Sequence, residues 1–172
     1  MATNCLAIHA VPVELTRPPG FDQLYQQYSE TVYRTARRIT GSPTDAEDVL
    51  QTVFLRVLSR PDADLDLQSA EAYFRRAATN ASIDVLRRRT IRSETPFDGL
   101  GPQSAQETSP LLKERLRRAI AELDPDDAEI VLLQYLEGWS SLELARQFGI
   151  ERGTVGSRLF RIRQVLQRMF ER

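Results

Sequence analysis

Apolar residues recur at helical spacing along most of the chain. Phe21, Leu24, Tyr25, Tyr28, Val32, Ala36 and Ile39 share one face of a 3.6-residue period, and Gly41-Ser42-Pro43 ends that run. Thr44 with Glu47 three residues later has the form of a capping box and opens a second predicted helix reaching about Leu58. A third runs from near Ser69 to about Arg89. Residues 93–110 hold three Pro and two Gly among polar residues, break every period and read as a flexible linker. Beyond them, Leu111 to Leu123 and Ala128 to Leu136 are predicted helices separated by Asp124-Pro125. Ser140 and Glu143 repeat the capping-box pattern before a short helix closed by Gly149, and a last helix spans about Gly153 to Phe170. The expected fold is all-α, with two small helical domains at 21–92 and 111–172 joined by the 93–110 linker. Residues 1–20 contain Pro12, Pro18, Pro19 and Gly20 and read as a flexible extension.

Composition narrows the class. The 172 residues are 41% hydrophobic, enough for packed cores, and 23 basic against 24 acidic residues leave a net charge of -1. The distribution is more telling than the sum. Tyr73 to Arg92 carries six Arg and one Asp, Arg152 to Arg172 carries six Arg and one Glu, and 93–110 is acidic with no Lys or Arg. Two basic segments around an acidic connector point to two polyanion contacts. The single Cys5 excludes an internal disulfide, and Cys5 with His9 cannot complete a metal site, so neither metal nor cofactor is expected. No phosphate loop or nucleophile elbow points to an enzyme, and no apolar run approaches the length of a membrane span. A cytoplasmic protein is expected.

The second half has the steric pattern of a helix-turn-helix. Small Ala145 lets one helix approach the next, Gly149 takes the positive φ of the turn, and Ile150, Val155 and Leu159 fix the crossing. Thr154, Ser157, Arg158, Arg161 and Gln164 then lie outward on the last helix, where Arg can pair with guanine edges or phosphates. A helical hairpin with a solvated arginine face shares the charge pattern; the agreement of turn, cap and charge favours DNA.

These residues carry a family likeness. Leu123 to Leu166, and above all the GTVGSRLFRIR core from Gly153 to Arg163, resembles region 4 of sigma-70-like factors. Asp45 to Leu58, DAEDVLQTVFLRVL, resembles region 2.2, and Tyr73 to Arg89, YFRRAATNASIDVLRRR, resembles regions 2.3 and 2.4. The order and the short linker are those of the small extracytoplasmic-function type. The resemblance implies that the chain docks on core RNA polymerase and directs it to promoters. Asp48, Gln51, Thr52 and Leu55 would face the beta-prime clamp helices, and the second domain would meet the beta flap. Asn80 would capture a flipped base of the minus-ten element. Tyr73 and Phe74 are placed for stacking, with core packing expected of at least one of them, and Arg75, Arg76, Arg87, Arg88 and Arg89 would hold the backbone there. Gly156, Ser157, Phe160 and Arg161 occupy the minus-thirty-five contact positions. Gly156 stands where the family usually has Lys or Arg, and Glu151 where a Ser cap is common. An anti-sigma partner is an expectation of the family. The alternative reading is a stand-alone helix-turn-helix regulator that binds a palindrome as a dimer.

Overall fold

The computed structural model describes residues 20–59, 67–93 and 109–171; the expectations for Cys5, His9 and most of the linker lie outside them. Among the described residues seven helices follow in order: α1 (Phe21–Thr40), α2 (Pro43–Leu58), α3 (Leu67–Ser93), α4 (Ser109–Glu122), α5 (Pro125–Tyr135), α6 (Ser141–Phe148) and α7 (Arg152–Phe170). No strand occurs among the described residues, so the all-α expectation holds, and none of their helices is long and apolar enough to cross a membrane.

Helix boundaries differ from the sequence expectation where capping chemistry was misassigned. Ser42, not Thr44, caps α2: its hydroxyl accepts from the Asp45 N–H at 3.3 Å, and Pro43 fills the first turn, where a missing N–H costs nothing. Asp124 likewise caps α5 and accepts from the Asp126 N–H at 3.1 Å. The expected break therefore holds at Leu123-Asp124, and α5 begins at Pro125, ahead of the expected Ala128. Helix α3 continues past Arg89 to Ser93. Ser140 and Glu143 do form the reciprocal capping box of α6, and Gly149 ends that helix at φ 63°.

Helices α1 to α3 pack around Val32, Ala36, Val49, Val53, Phe74 and Ala78. Phe74 is the hub. Its ring stacks on Tyr28 at 4.7 Å and on Phe54 at 5.2 Å, while Phe21 meets Phe54 edge-on. Helices α4 to α7 enclose a second core of Ile130, Leu133, Leu144, Val155 and Ile162. That core does not stop at the second unit: Ile39 of α1 and Ile83 and Leu86 of α3 belong to it. Helix α3 is thus buried on two sides. Its polar core residues stay satisfied locally, because Thr79 and Ser82 donate to the carbonyls of Arg75 and Ala78 at 2.9 and 2.7 Å.

Leu144 is fully buried in the second core, so Leu144→Ala should lower unfolding free energy by about 3 kcal/mol in denaturant titration. The Ser140 hydroxyl, and then its backbone N–H, hold the Glu143 carboxyl below its ordinary value of 4.5. A depressed folded-state pKa means stability present above the unfolded value and lost as pH falls through the folded one. The stability difference between wild type and Ser140→Ala should therefore be full at neutrality and shrink on acidification below that carboxylate range.

Candidate nucleic-acid interface

The outer face of α7 is built by the turn before it. Val155, Leu159 and Ile162 turn inward, which leaves Thr154, Gly156, Ser157, Phe160, Arg161 and Gln164 exposed on the opposite side. Phe160 is 59% exposed, an unusual position for a phenylalanine with an inner face so close by. Glu151 leads into α7 without a side-chain cap bond, so the first N–H groups of the helix are left for solvent or an anion. A Cβ at Gly156 would meet nothing within 4 Å, so no packing demand keeps that position glycine.

Arg158 departs from the expected set. Its guanidinium sits 2.8 Å from Asp127, 3.7 Å from Asp126 and 4.0 Å from Asp124, the acidic first turn of α5. It ties α7 to α5 and is not part of the outward face. Arg163 lies over the Tyr135 ring at 5.8 Å.

In the first unit, α2 turns Ala46, Val49, Val53, Phe54 and Val57 inward. Asp48, Gln51 and Leu55 form an exposed strip, Leu55 at 60%, while Thr52 is half-buried and back-bonds to the Asp48 carbonyl at 2.8 Å. On α3, Phe74 is fully buried and cannot reach a base, which corrects its place among the DNA contacts. Tyr73, next to it, lies at the surface edge-on to the Phe74 ring at 5.4 Å. Asn80 is half-buried and Arg88 is exposed.

Arg75, Arg76 and Arg87 of α3 face the second unit. Arg75 pairs with Glu137 at 3.2 Å, and Arg38 of α1 reaches the other oxygen of the same carboxylate at 2.6 Å. Arg76 pairs with Glu129 and lies over the Phe148 ring at 5.1 Å. Arg87 donates to the carbonyls of Ala121 and Leu123, at 3.3 and 3.0 Å, satisfying the C-terminus of α4. Arg89 stays within its own unit, paired with Asp45 and donating to the Thr40 carbonyl at 3.1 Å. Arg75, Arg76, Arg87 and Arg89 are expected as DNA contacts, yet each has a protein partner here. Sequence reading overlooked the partners. Glu129 had left a signal: it sits inside the apolar run from Ala128 to Leu133, where a carboxylate is buried and must be paired. Glu137 had none, lying just past a helix end.

Comparison with known proteins follows the same division. Residues 24–91 match the model of Sigma-70 region 2, and residues 113–166 that of Sigma-70, region 4. The chain is 34% identical over 158 residues to the ECF RNA polymerase sigma factor SigE of Mycolicibacterium smegmatis, covering 87% of this chain and 61% of that protein, less than two thirds of its length. It is 32% identical over 143 residues to the RNA polymerase sigma-E factor of Streptomyces avermitilis, covering 82% and 79% respectively. The solved structure of CnrH in complex with the cytosolic domain of CnrY is similar in fold, with a TM-score of 0.51 at 22% identity over 88% of this chain and 87% of that one.

The ion pairs of Arg158 predict a structural phenotype. Arg158→Ala should lower stability by about 1 kcal/mol, because the guanidinium is only 23% exposed and meets three carboxylates. Arg161→Ala, on the open face, should stay within about 0.5 kcal/mol of wild type in the same denaturant titration.

Proposed function

Because the chain belongs to the sigma-70 family, in its extracytoplasmic-function branch, we propose that it directs core RNA polymerase to promoters, reading one element as duplex and the other as opened strand. The observation that carries this reading is the pairing, in one chain and in family order, of an arginine-dense helix α3 with a separate helix α7 whose polar face is open. The region 2 unit spans 21–92, the region 4 unit 111–172, with 93–110 connecting them. Its role is binding, not catalysis: the chain supplies recognition and the polymerase supplies the chemistry.

The division of labour follows from the side chains. The exposed strip of Asp48, Gln51 and Leu55, with Thr52 beside it, suits a partner helix on the polymerase clamp, and the second unit is assigned to the beta flap. Thr154, Ser157, Arg161 and Gln164 can donate to phosphates or base edges of the minus-thirty-five duplex, and Phe160 offers an apolar contact. Gly156 removes one cation from that face, so duplex reading there leans on Arg161. Tyr73 supplies a ring and Asn80 an amide, donor and acceptor together, for an unstacked base of the minus-ten strand. Arg88 is open to phosphate, and Arg75, Arg76, Arg87 and Arg89 are assigned the same task once released from their protein partners. The connector supports a two-site reading as well. Between Ser93 of α3 and Ser109 of α4 lie 15 residues, which reach at most about 50 Å, about one and a half turns of DNA at roughly 34 Å each, whereas a relaxed coil averages about 21 Å. This work would take place in the cytoplasm, and the apolar part of the clamp strip is the natural target of an anti-sigma partner.

The test is reconstitution with purified core polymerase and mapping of the promoters bound. Promoter-specific opening is expected from wild type, with Asn80→Ala reducing open complexes about tenfold, the worth of one stacked or captured base, at unchanged binding to core. Normal opening by that variant would remove Asn80 from the site. Tight binding of a palindrome by a free dimer, with no affinity for core, would replace the whole reading by that of a stand-alone regulator.

A further inference from the structure

We infer that Arg158 is a positioning residue for duplex reading: paired with the acidic first turn of α5, it sets the angle at which the outer face of α7 meets DNA and does not touch DNA itself. The inference rests on the reading of α7 as the duplex-reading helix and adds to it the contact that holds that helix in place.

Three carboxylates meet the Arg158 guanidinium at this junction, and burial separates them. Asp124 and Asp126 are exposed, so water screens their pairs at 4.0 and 3.7 Å. Asp127 is half-buried, and its Oδ1 is shut off from water and accepts no hydrogen bond. Arg158 Nε lies 2.8 Å from that oxygen without the alignment of a hydrogen bond, so what it supplies is charge. A carboxylate oxygen taken out of water is strongly disfavoured without such a cation. In the absence of Arg158, Asp127 regains water only if the junction of α5 and α7 opens.

The other contacts of α7 leave that movement open. Val155, Leu159 and Ile162 make a single apolar stripe along the helix. Apolar burial is non-directional, so a stripe resists separation of two helices more than rotation about its own line. Glu151 provides no side-chain bond at the start of α7. The far end is tied to α4, where Arg115 donates to the Phe170 carbonyl at 3.0 Å and lies over the Phe170 ring at 5.3 Å. Arg158 stands about 100° around the helix from Leu159, so it holds α7 off the line of the stripe, in the half that carries the reading face.

Ser157, Phe160 and Arg161 sit within a turn of Arg158, and a rotation there is passed on to them. Base readout is intolerant of it, because a recognition side chain has to lie within about 0.5 Å of its productive geometry. Attraction between a cation and a phosphate falls only as the reciprocal of distance and survives the same displacement. Loss of Arg158 therefore removes discrimination between bases and leaves the salt-dependent attraction to DNA as it was. A direct phosphate contact has the opposite signature, uniform weakening with a shallower salt dependence.

The probes are a minus-thirty-five-type duplex taken from a promoter that wild type binds in the reconstitution, and the same duplex with one base pair of the element exchanged. Affinity of the full chain for each is measured by fluorescence anisotropy across a salt series, below the unfolding transition of every variant. Arg158→Ala, or the bulkier Arg158→Gln, should cut the preference for the intact element about tenfold, the worth of one well-read base pair, with the salt slope unchanged. Adding Asp127→Asn, which removes the charge in need of compensation, should restore most of that preference. Arg158→Lys, which keeps a cation at the junction, should lose little of it. Full discrimination by Arg158→Ala would overturn the inference, as would equal weakening on both duplexes with a salt slope smaller by about 0.9. So would a double variant no better than the single one. Absence of any preference in wild type would remove the reading of α7 itself and the inference with it, so the two failures are distinguishable.

Discussion

A carboxylate taken out of water needs a cation beside it, and two such carboxylates decide how the halves of this chain meet. Glu129 and Glu137 lie buried on the second unit, and the cations that neutralise them, Arg76, Arg75 and Arg38, belong to the first. Removing one partner from a buried pair costs on the order of 3 kcal/mol, because the other charge is left uncompensated. The pairing therefore contributes specificity of orientation more than adhesion; the adhesion comes from Ile39, Ile83 and Leu86 entering the second core.

Helix α3 bears the consequence. One side completes the aromatic stack around Phe74, another carries Ile83 and Leu86 toward α4 and α5, and the arginines occupy what remains. A helix with two packed sides has little freedom to present its cations elsewhere while the units touch. The helix-turn-helix is under no such constraint. Its fold is closed by local devices, namely the Ser140 and Glu143 box, Gly149 at positive φ, and the clamp of Arg158 on the α5 acidic turn.

This asymmetry suits a two-site DNA reader. Duplex recognition requires only a rigid helix with an exposed polar face, which α7 supplies on its own. Capture of an opened strand requires a basic surface kept from binding polyanions indiscriminately until the strand exists. Here Arg75 and Arg76 of α3 face the buried carboxylates of Glu137 and Glu129.

Much of this was legible in the residues alone. Helical periodicity, the capping box at Ser140, the glycine at the turn and the motif from Gly153 to Arg163 depend on neighbours within a few positions, so they survive without coordinates. The Ser42 cap was missed because Thr44 with Glu47 offers the same local chemistry two residues on, and only backbone geometry at Pro43 separates the two. Phe74 beside Tyr73 could not be divided into core and surface by composition, since adjacent residues on a helix differ by about 100° and the packing of Tyr28 and Phe54 decides which turns inward. The second-unit carboxylates that face Arg38, Arg75 and Arg76, and the α5 carboxylates that face Arg158, lie far along the chain or across a helix junction. Sequence determined where the positive charge stands; tertiary structure alone decided what it faces, because an ion pair is fixed by distance in space and leaves no period in the chain.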